Sequence, residues 1–209
     1  MGLNTKGYVK KARNTGVRIR RPIIFLGTEG NNRTETLYFR DFCQDYNRMV
    51  RFSTGNNTDP VNMINDLKSY MDKNGFDAKL GDKSYCLVDS DVAQAKNAQI
   101  AQADALALCY GIDLVLSVPC FEIWYLCYFS FSTRSYSSNF DVIKELAKYI
   151  PGYNKGLQKI YEKTKCNLHQ AIINAVRLEA YCSRNRYIKH TTNFMPSTEV
   201  YKIANEIIK

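Results

Sequence analysis

The chain has 209 residues and a mass of 24.0 kDa, with 45% hydrophobic and 23% charged residues. This is the balance of an ordinary globular protein, and it excludes collagen-like, low-complexity and wholly disordered classes. A chain this long buries roughly 70% of its unfolded surface, so it needs no disulfide or metal to fold. The formal net charge of +9 points to polyanionic partners and is silent on fold.

Met1 to Arg21 has no apolar periodicity and reads as a basic arm, without the apolar core of a secretory signal. Ile23-Ile24-Phe25-Leu26 is a short continuous apolar run closed by Gly27 and Gly30, the pattern of a strand buried on both faces. Thr34 to Met49 places Leu37, Phe39, Phe42 and Tyr46 on one helical face. Val50–Ser53 reads as a second strand. Asp59-Pro60 is a helix start, with an N-cap carboxylate before a first-turn proline. Met63, Leu67, Tyr70 and Met71 carry that helix to the Asn74-Gly75 stop.

Ser84–Val88 is the third strand and runs into Asp89-Ser90-Asp91. Asp91 to Tyr110 reads as an Ala-rich helix with Ile100, Ala103, Ala107 and Leu108 inward, ended by Gly111. Ile112–Leu116 is a fourth strand, and Pro119 opens an apolar helix to about Phe129. The apolar stretch Val118–Phe131 is too short to span a bilayer and contains Glu122. After a Ser-rich loop at 130–139, helices are expected at about 140–149, 156–164, 167–183 and 198–208. Alternating strands and helices predict an α/β fold with right-handed crossovers and a mainly parallel four-stranded sheet. The expected organisation is a basic arm (1–21), an α/β core (22–139) and a helical, basic C-terminal portion (140–209).

The seven cysteines include no C-x-x-C pair and fit reduced, mostly buried thiols in a cytoplasmic protein. The charge is segregated. Residues 1–21 hold seven Lys/Arg and no acid, 85–143 hold two basic and six acidic groups, and 144–189 hold ten basic and three acidic groups. An acidic middle thus lies between basic flanks.

In an open α/β sheet, ligands collect beyond the carboxyl ends of the strands. Glu29, the pair Asp89 and Asp91, and Glu122 all fall at that edge. Converging carboxylates repel unless a proton or cation intervenes, and a hard divalent ion uses one or two of them together with substrate phosphates. Plain alternatives stand beside each: Asp-x-Asp also caps helices, Glu35 three residues after Asn32 completes a capping box, and Glu122 suits a helix dipole. His169 and His190 lack ligand spacing. Cys120 at a helix start is a thiol candidate that burial disfavours.

The order of these motifs resembles the Toprim pattern, a glutamate after an early strand and Asp-x-Asp after a later one. More closely, the chain resembles the RloB family. The matching residues are Arg20-Arg21-Pro22, Glu29-Gly30, Thr34-Glu35, Tyr38-Phe39, Asp89-Ser90-Asp91, Ser117, Pro119-Cys120-Phe121-Glu122, Trp124, Tyr153-Asn154-Lys155 and Pro196-Ser197-Thr198. Val118 and Tyr128 depart from it, standing where the family usually has an Asn and a His.

The resemblance implies a Toprim-like fold and Mg²⁺-dependent (or Mn²⁺-dependent) phosphodiester hydrolysis in bacterial antiphage defence, alongside an ABC-type ATPase partner. Asp89 and Asp91 would hold the metal with Glu29 as third ligand or general base. Glu122 would bind a second ion or orient a ligand, and Lys155 would contact the scissile phosphate. Tyr149, Tyr153, Tyr161, Tyr181 and Tyr187 interleave with Lys148, Lys155, Lys163, Arg184, Arg186 and Lys189. This mixture suits unpaired bases and backbone phosphates, so RNA is favoured over DNA; the resemblance to related effectors, and no residue here, makes tRNA the substrate to try first. The rival readings are a non-cleaving module that binds nucleic acid or the ATPase, which the Val118 and Tyr128 departures favour, and a nucleotidyl-transfer enzyme. No membrane association is expected.

Overall fold

The computed structural model describes residues 20–29 and 33–209. The basic arm falls almost entirely outside them, as do Gly30 and Asn32. Arg20 is described, and its guanidinium pairs with Asp82 at 2.6 Å.

The elements follow in the order β1 Ile23–Gly27, α1 Arg33–Asp45, β2 Met49–Phe52, α2 Pro60–Lys73, β3 Lys83–Asp89, α3 Lys96–Tyr110, β4 Asp113–Val118 and α4 Glu122–Cys127. They continue with α5 Asn139–Leu146, α6 Ile160–Thr164, α7 Leu168–Arg184, β5 Ser197–Thr198 and α8 Val200–Ile208. The sheet order is β2-β1-β3-β4-β5. The first four strands pair in parallel and β5 is antiparallel to β4. The expected α/β architecture is present, with a fifth strand where four were predicted. Ser197 and Thr198 have no apolar alternation to reveal a strand. They pair because Val118 and Ser117 offer an open edge, and Ser117 Oγ and Thr198 Oγ1 add a side-chain hydrogen bond of 3.0 Å.

Successive strand residues alternate between two cores, as the pleat requires. Ile23, Phe25, Cys86, Val88, Leu114 and Leu116 pack against α2 and α3. Ile24, Leu26, Tyr85, Leu87 and Val115 pack against the other layer, built from α1, α4, α7 and α8. Both sheet faces are therefore covered, which explains the continuous apolar runs. Every residue of α4 is buried, and its Trp124 and Tyr125 share the core with Tyr38, Phe39, Phe42, Phe121 and Tyr161. The apolar stretch at 118–131 is the centre of this layer. Among the described residues, no helix is long and apolar enough to cross a membrane.

Asp59 caps α2 as its sequence indicates, accepting a hydrogen bond from the Asn62 amide at 3.0 Å. Gly111 ends α3 in the left-handed region at φ 67°, a conformation that suits glycine. Three expectations are corrected. The helix predicted from Asp91 begins at Lys96, because residues 91–95 form a turn. Leu108, expected inward, is 82% exposed, and Tyr46 is also exposed. Helices α5, α6 and α8 are shorter than predicted, with α6 beginning only at Ile160, while α7 keeps its expected length one residue further on.

Candidate functional site

Beyond the carboxyl ends of the parallel strands, the order 2-1-3-4-5 places the topological switch point between β1 and β3. Glu29 follows β1, and Asp89 is the last residue of β3, paired with Ser117 of β4. Two further carboxylates reach the same place from helix starts: Glu35 from the first turn of α1 and Glu122 from the first residue of α4. Lys155 arrives from the loop between α5 and α6. That loop is tied to α1 by the Gly156 amide, which donates to Thr34 Oγ1 at 3.3 Å.

The chain buries these acids. Glu122 is 1% exposed, Glu35 3% and Asp89 6%. Burial pushes the Asp89 carboxyl well above its ordinary range, and the charges of Glu35, Glu122 and Glu29 push it further against the opposing pull of Lys155. Burial likewise raises Glu35, with Glu122 and Glu29 adding to the effect. Glu29 is raised mainly by burial, although Lys96 opposes that. The Lys155 ammonium loses by burial, but Glu122, Asp89 and Glu35 together outweigh the loss and hold it above the ordinary lysine range. Glu122 Oε1 accepts a hydrogen bond from Tyr153 Oη at 2.9 Å, while its Oε2 is buried with no hydrogen-bond partner.

Asp91 is held differently. Its backbone turns into the left-handed region at φ 52°, which Asp tolerates better than most residues. Its Oδ2 lies 2.7 Å from Lys96 Nζ, and its Oδ1 accepts from Asn139 Nδ2 at 2.7 Å. Lys96 Nζ also donates to the Asp89 carbonyl at 2.7 Å and lies 3.9 Å from Glu29 Oε1. An ammonium thus stands between Glu29 and Asp91, where the sequence reading had placed a divalent ion. Among the described residues, no group of three or more His, Cys, Asp or Glu side chains is arranged to hold a metal. The inner pair of Asp89 and Glu122 does match a hard cation in donor chemistry, since both are buried carboxylates and Glu122 Oε2 lacks a partner. Two protein carboxylates suffice for Mg²⁺ when phosphate oxygens and water complete its shell.

Sequence reasoning missed Glu35 and Tyr153 as members of this cluster. Glu35 read as half of a capping box, and its partner Asn32 lies outside the described residues. The signal was its spacing. Glu35, Tyr38, Phe39 and Phe42 share the buried face of α1, and a carboxylate on an apolar face needs a reason to be there.

The departures at Val118 and Tyr128 fall at packing positions. Val118 is buried against the α2–α3 layer. The Tyr128 hydroxyl lies 2.5 Å from that of Tyr38 inside the aromatic core. Replacing either tyrosine by Phe is expected to cost about 1–2 kcal/mol, and the double replacement less than the sum, because the pair then leaves no deserted hydroxyl. Urea unfolding of the four proteins reads this, and strict additivity would disprove the coupling.

Of the interleaved tyrosines, Tyr153 and Tyr161 are buried, with Tyr161 Oη donating to Asp45 at 3.0 Å. Tyr149 stacks on Phe129 at 5.0 Å. Tyr187 is exposed. Lys148 and Lys189 are engaged with Glu145 and with Glu179 and Glu199. Cys120 is fully buried, and burial together with Glu122 and Asp89 raises its thiol far above the thiolate range, which removes it as a nucleophile. All seven cysteines are free, Cys109 and Cys166 being the exposed pair. His190 is structural, bridging Asp104 and Glu199 at 3.0 Å each, and His169 lies exposed on α7.

These features define an open α/β protein with a buried carboxylate cluster at the switch point of its sheet. The family model described as RloB-like protein matches residues 24–207, and the chain belongs to the RloB-like family. No curated protein and no solved structure matches it.

Proposed function

We propose that the chain is a Toprim-type, Mg²⁺- or Mn²⁺-dependent endonuclease that acts on RNA, tRNA being the substrate class to try first, as an effector of bacterial antiphage defence. The observation that carries this reading is the convergence of Glu29, Glu35, Asp89 and Glu122 with Lys155 at the switch point. So much buried like charge is costly, and a cation together with an anionic substrate offsets it.

Asp89 and Glu122 would hold the ion, with Glu29 beside them. When bound, such an ion neutralises charge developing on the phosphate and lowers the pKa of the attacking water. Glu29 is the base candidate, because its side chain is the most solvent-accessible of the four carboxylates at 23% and burial raises its affinity for protons. Lys155, facing the same carboxylates, would pair with the scissile phosphate, a contact that strengthens as charge builds there. Tyr153 holds Glu122 in place. The basic residues of 144–189 would draw the backbone toward a centre that otherwise repels it.

Labelled RNA and DNA pools incubated with Mg²⁺, Mn²⁺ or EDTA test this. Fragments are expected from RNA with either metal and none with EDTA. Cleavage that persists in EDTA would overturn metal dependence.

A second reading, a module that binds nucleic acid or a partner ATPase without cleaving it, is favoured by Lys96, whose ammonium occupies the space between Glu29 and Asp91. Salt-dependent RNA binding without fragments under any metal condition would support that reading over the first.

A further inference from the structure

A second concavity adjoins the acidic centre and takes no part in the chemistry described so far. It lies between the 91–95 turn, residues 135–136 and the segment 187–195, has a volume of about 230 Å³, and is lined by Val92, Gln94, Tyr136, Tyr187, Thr192 and Asn193 among others. One wall is the turn that begins at Asp91, so the cavity opens one residue from a carboxylate of the candidate site. It is smaller than the roughly 300–1,000 Å³ of sites for drug-sized ligands. A single ring system matches it.

The lining chemistry narrows the occupant. Val92 and Tyr187 are exposed apolar surfaces at 40% and 39%. Gln94 and Asn193 contribute amides that both donate and accept. Thr192 is 4% exposed, and its Oγ1 is buried without a hydrogen-bond partner, although its backbone amide is satisfied by Asn97 Oδ1 at 2.8 Å. That hydroxyl is shut off from the cavity, so recognition falls to the amides and the aromatic ring. None of the lining residues is charged. An aromatic face and neutral amides together recognise a flat, neutral ring with hydrogen-bonding edges. Arg186, directly before Tyr187, and Arg184, at the end of α7, are both exposed and supply cations for flanking phosphates.

We propose that this cavity receives one unstacked nucleobase of the substrate strand, with Tyr187 stacking on it and Gln94 and Asn193 reading its edge. The assignment rests on the reading of the substrate as nucleic acid and deepens it, because only an unpaired or flipped nucleotide can place a base there. A continuous duplex cannot.

The test uses the full chain in EDTA, where cleavage does not interfere. Fluorescence anisotropy compares a short single-stranded RNA, the same strand carrying one abasic position, and the blunt duplex. Wild type is expected to bind the intact strand at least about fivefold more tightly than either, the lower end for one base–aromatic stack. A 2-aminopurine scanned through the strand is expected to change its emission at one position. Tyr187→Ala and Gln94→Leu should both remove that signal and the preference over the abasic strand, and circular dichroism confirms that the variants fold. Equal affinity for intact and abasic strands, or a 2-aminopurine signal untouched by both substitutions, would overturn the pocket. Failure of the nuclease reading looks different: the base-dependent preference persists, and Mg²⁺ or Mn²⁺ yields no fragments.

Discussion

Replacing Asp89 by Asn is expected to raise the melting temperature of the metal-free protein while lowering metal-dependent cleavage by about 10²–10⁴-fold. The substitution is nearly isosteric and removes the carboxylate most hemmed in by others. Its proton affinity is raised by burial and then by Glu35, Glu122 and Glu29. The sign follows from linkage. A carboxyl whose folded pKa lies above its unfolded value of 3.8 costs nothing in acid and takes stability away as pH rises toward the folded value. Wild type and Asp89→Asn should therefore melt together near pH 4 and separate at neutral pH. Each unit of raised pKa is worth about 1.4 kcal/mol. For a chain of this length, that is a few degrees in favour of the variant. Thermal melts in EDTA across pH 4–8 measure the first half and fragment release with Mn²⁺ the second. An Asn variant that is less stable at pH 7.5 would contradict the crowding of charge, and one that cleaves at wild-type rate would remove Asp89 from the chemistry.

Glu199→Ala is expected to be the most destabilising single change outside the apolar core, at about 3–5 kcal/mol. Glu199 completes the outer edge of β4. Its backbone amide donates to the Leu116 carbonyl at 3.1 Å, and its carboxylate accepts from the Leu116 amide at 3.2 Å. The same carboxylate lies 2.6 Å from Lys202 Nζ, 2.9 Å from Lys189 Nζ and 3.0 Å from His190 Nε2. Burial opposes its charge, but these partners outweigh burial and hold it far below the usual glutamate range. Burial opposes the His190 cation too, and Glu199 with Asp104 raises it regardless. The stabilisation from Glu199 is present above about pH 4.5 and disappears as pH falls through its lowered value. That from His190 is complete below about pH 6.5 and disappears as pH rises through its raised value. This network therefore contributes most between those limits. His190→Ala should flatten the alkaline side of the profile and leave the acid side in place, as urea midpoints at several pH values would read. An unchanged alkaline side would exclude His190 as its source.

What the sequence revealed and what it concealed divide along one physical line. Runs whose pattern repeats, such as Ile23–Leu26 and the helix behind Asp59-Pro60, announced themselves, because burial on a regular element leaves a period. Features fixed by a distant partner left none. Ser197-Thr198 becomes a strand only because β4 has an edge to fill. Asp91 looked like half of a metal pair. Its Oδ1 is taken by Asn139, a partner 48 residues away that no local pattern announces, while a turn in place of the expected helix start lets Lys96 reach its Oδ2. Glu35 was masked by a plausible local role at a helix start. The candidate site was thus legible in its strand-end members Glu29 and Asp89 and in Glu122, while the contributions of Glu35 and Tyr153 depended on which faces of α1 and the 147–159 loop the fold turns inward.

The late closure of β4 carries a consequence for biosynthesis. Thr198 meets Ser117 across 81 residues of chain, and Glu199 meets Leu116 across 83. Ser117 is also the strand partner of Asp89. During translation the first four strands leave the ribosome long before the segment that seals their outer edge, and long-range pairing of this kind is slow to form. Asp89 thus shares its strand partner Ser117 with Thr198, so the strand that flanks the candidate site has its outer side covered by a segment made some eighty residues later.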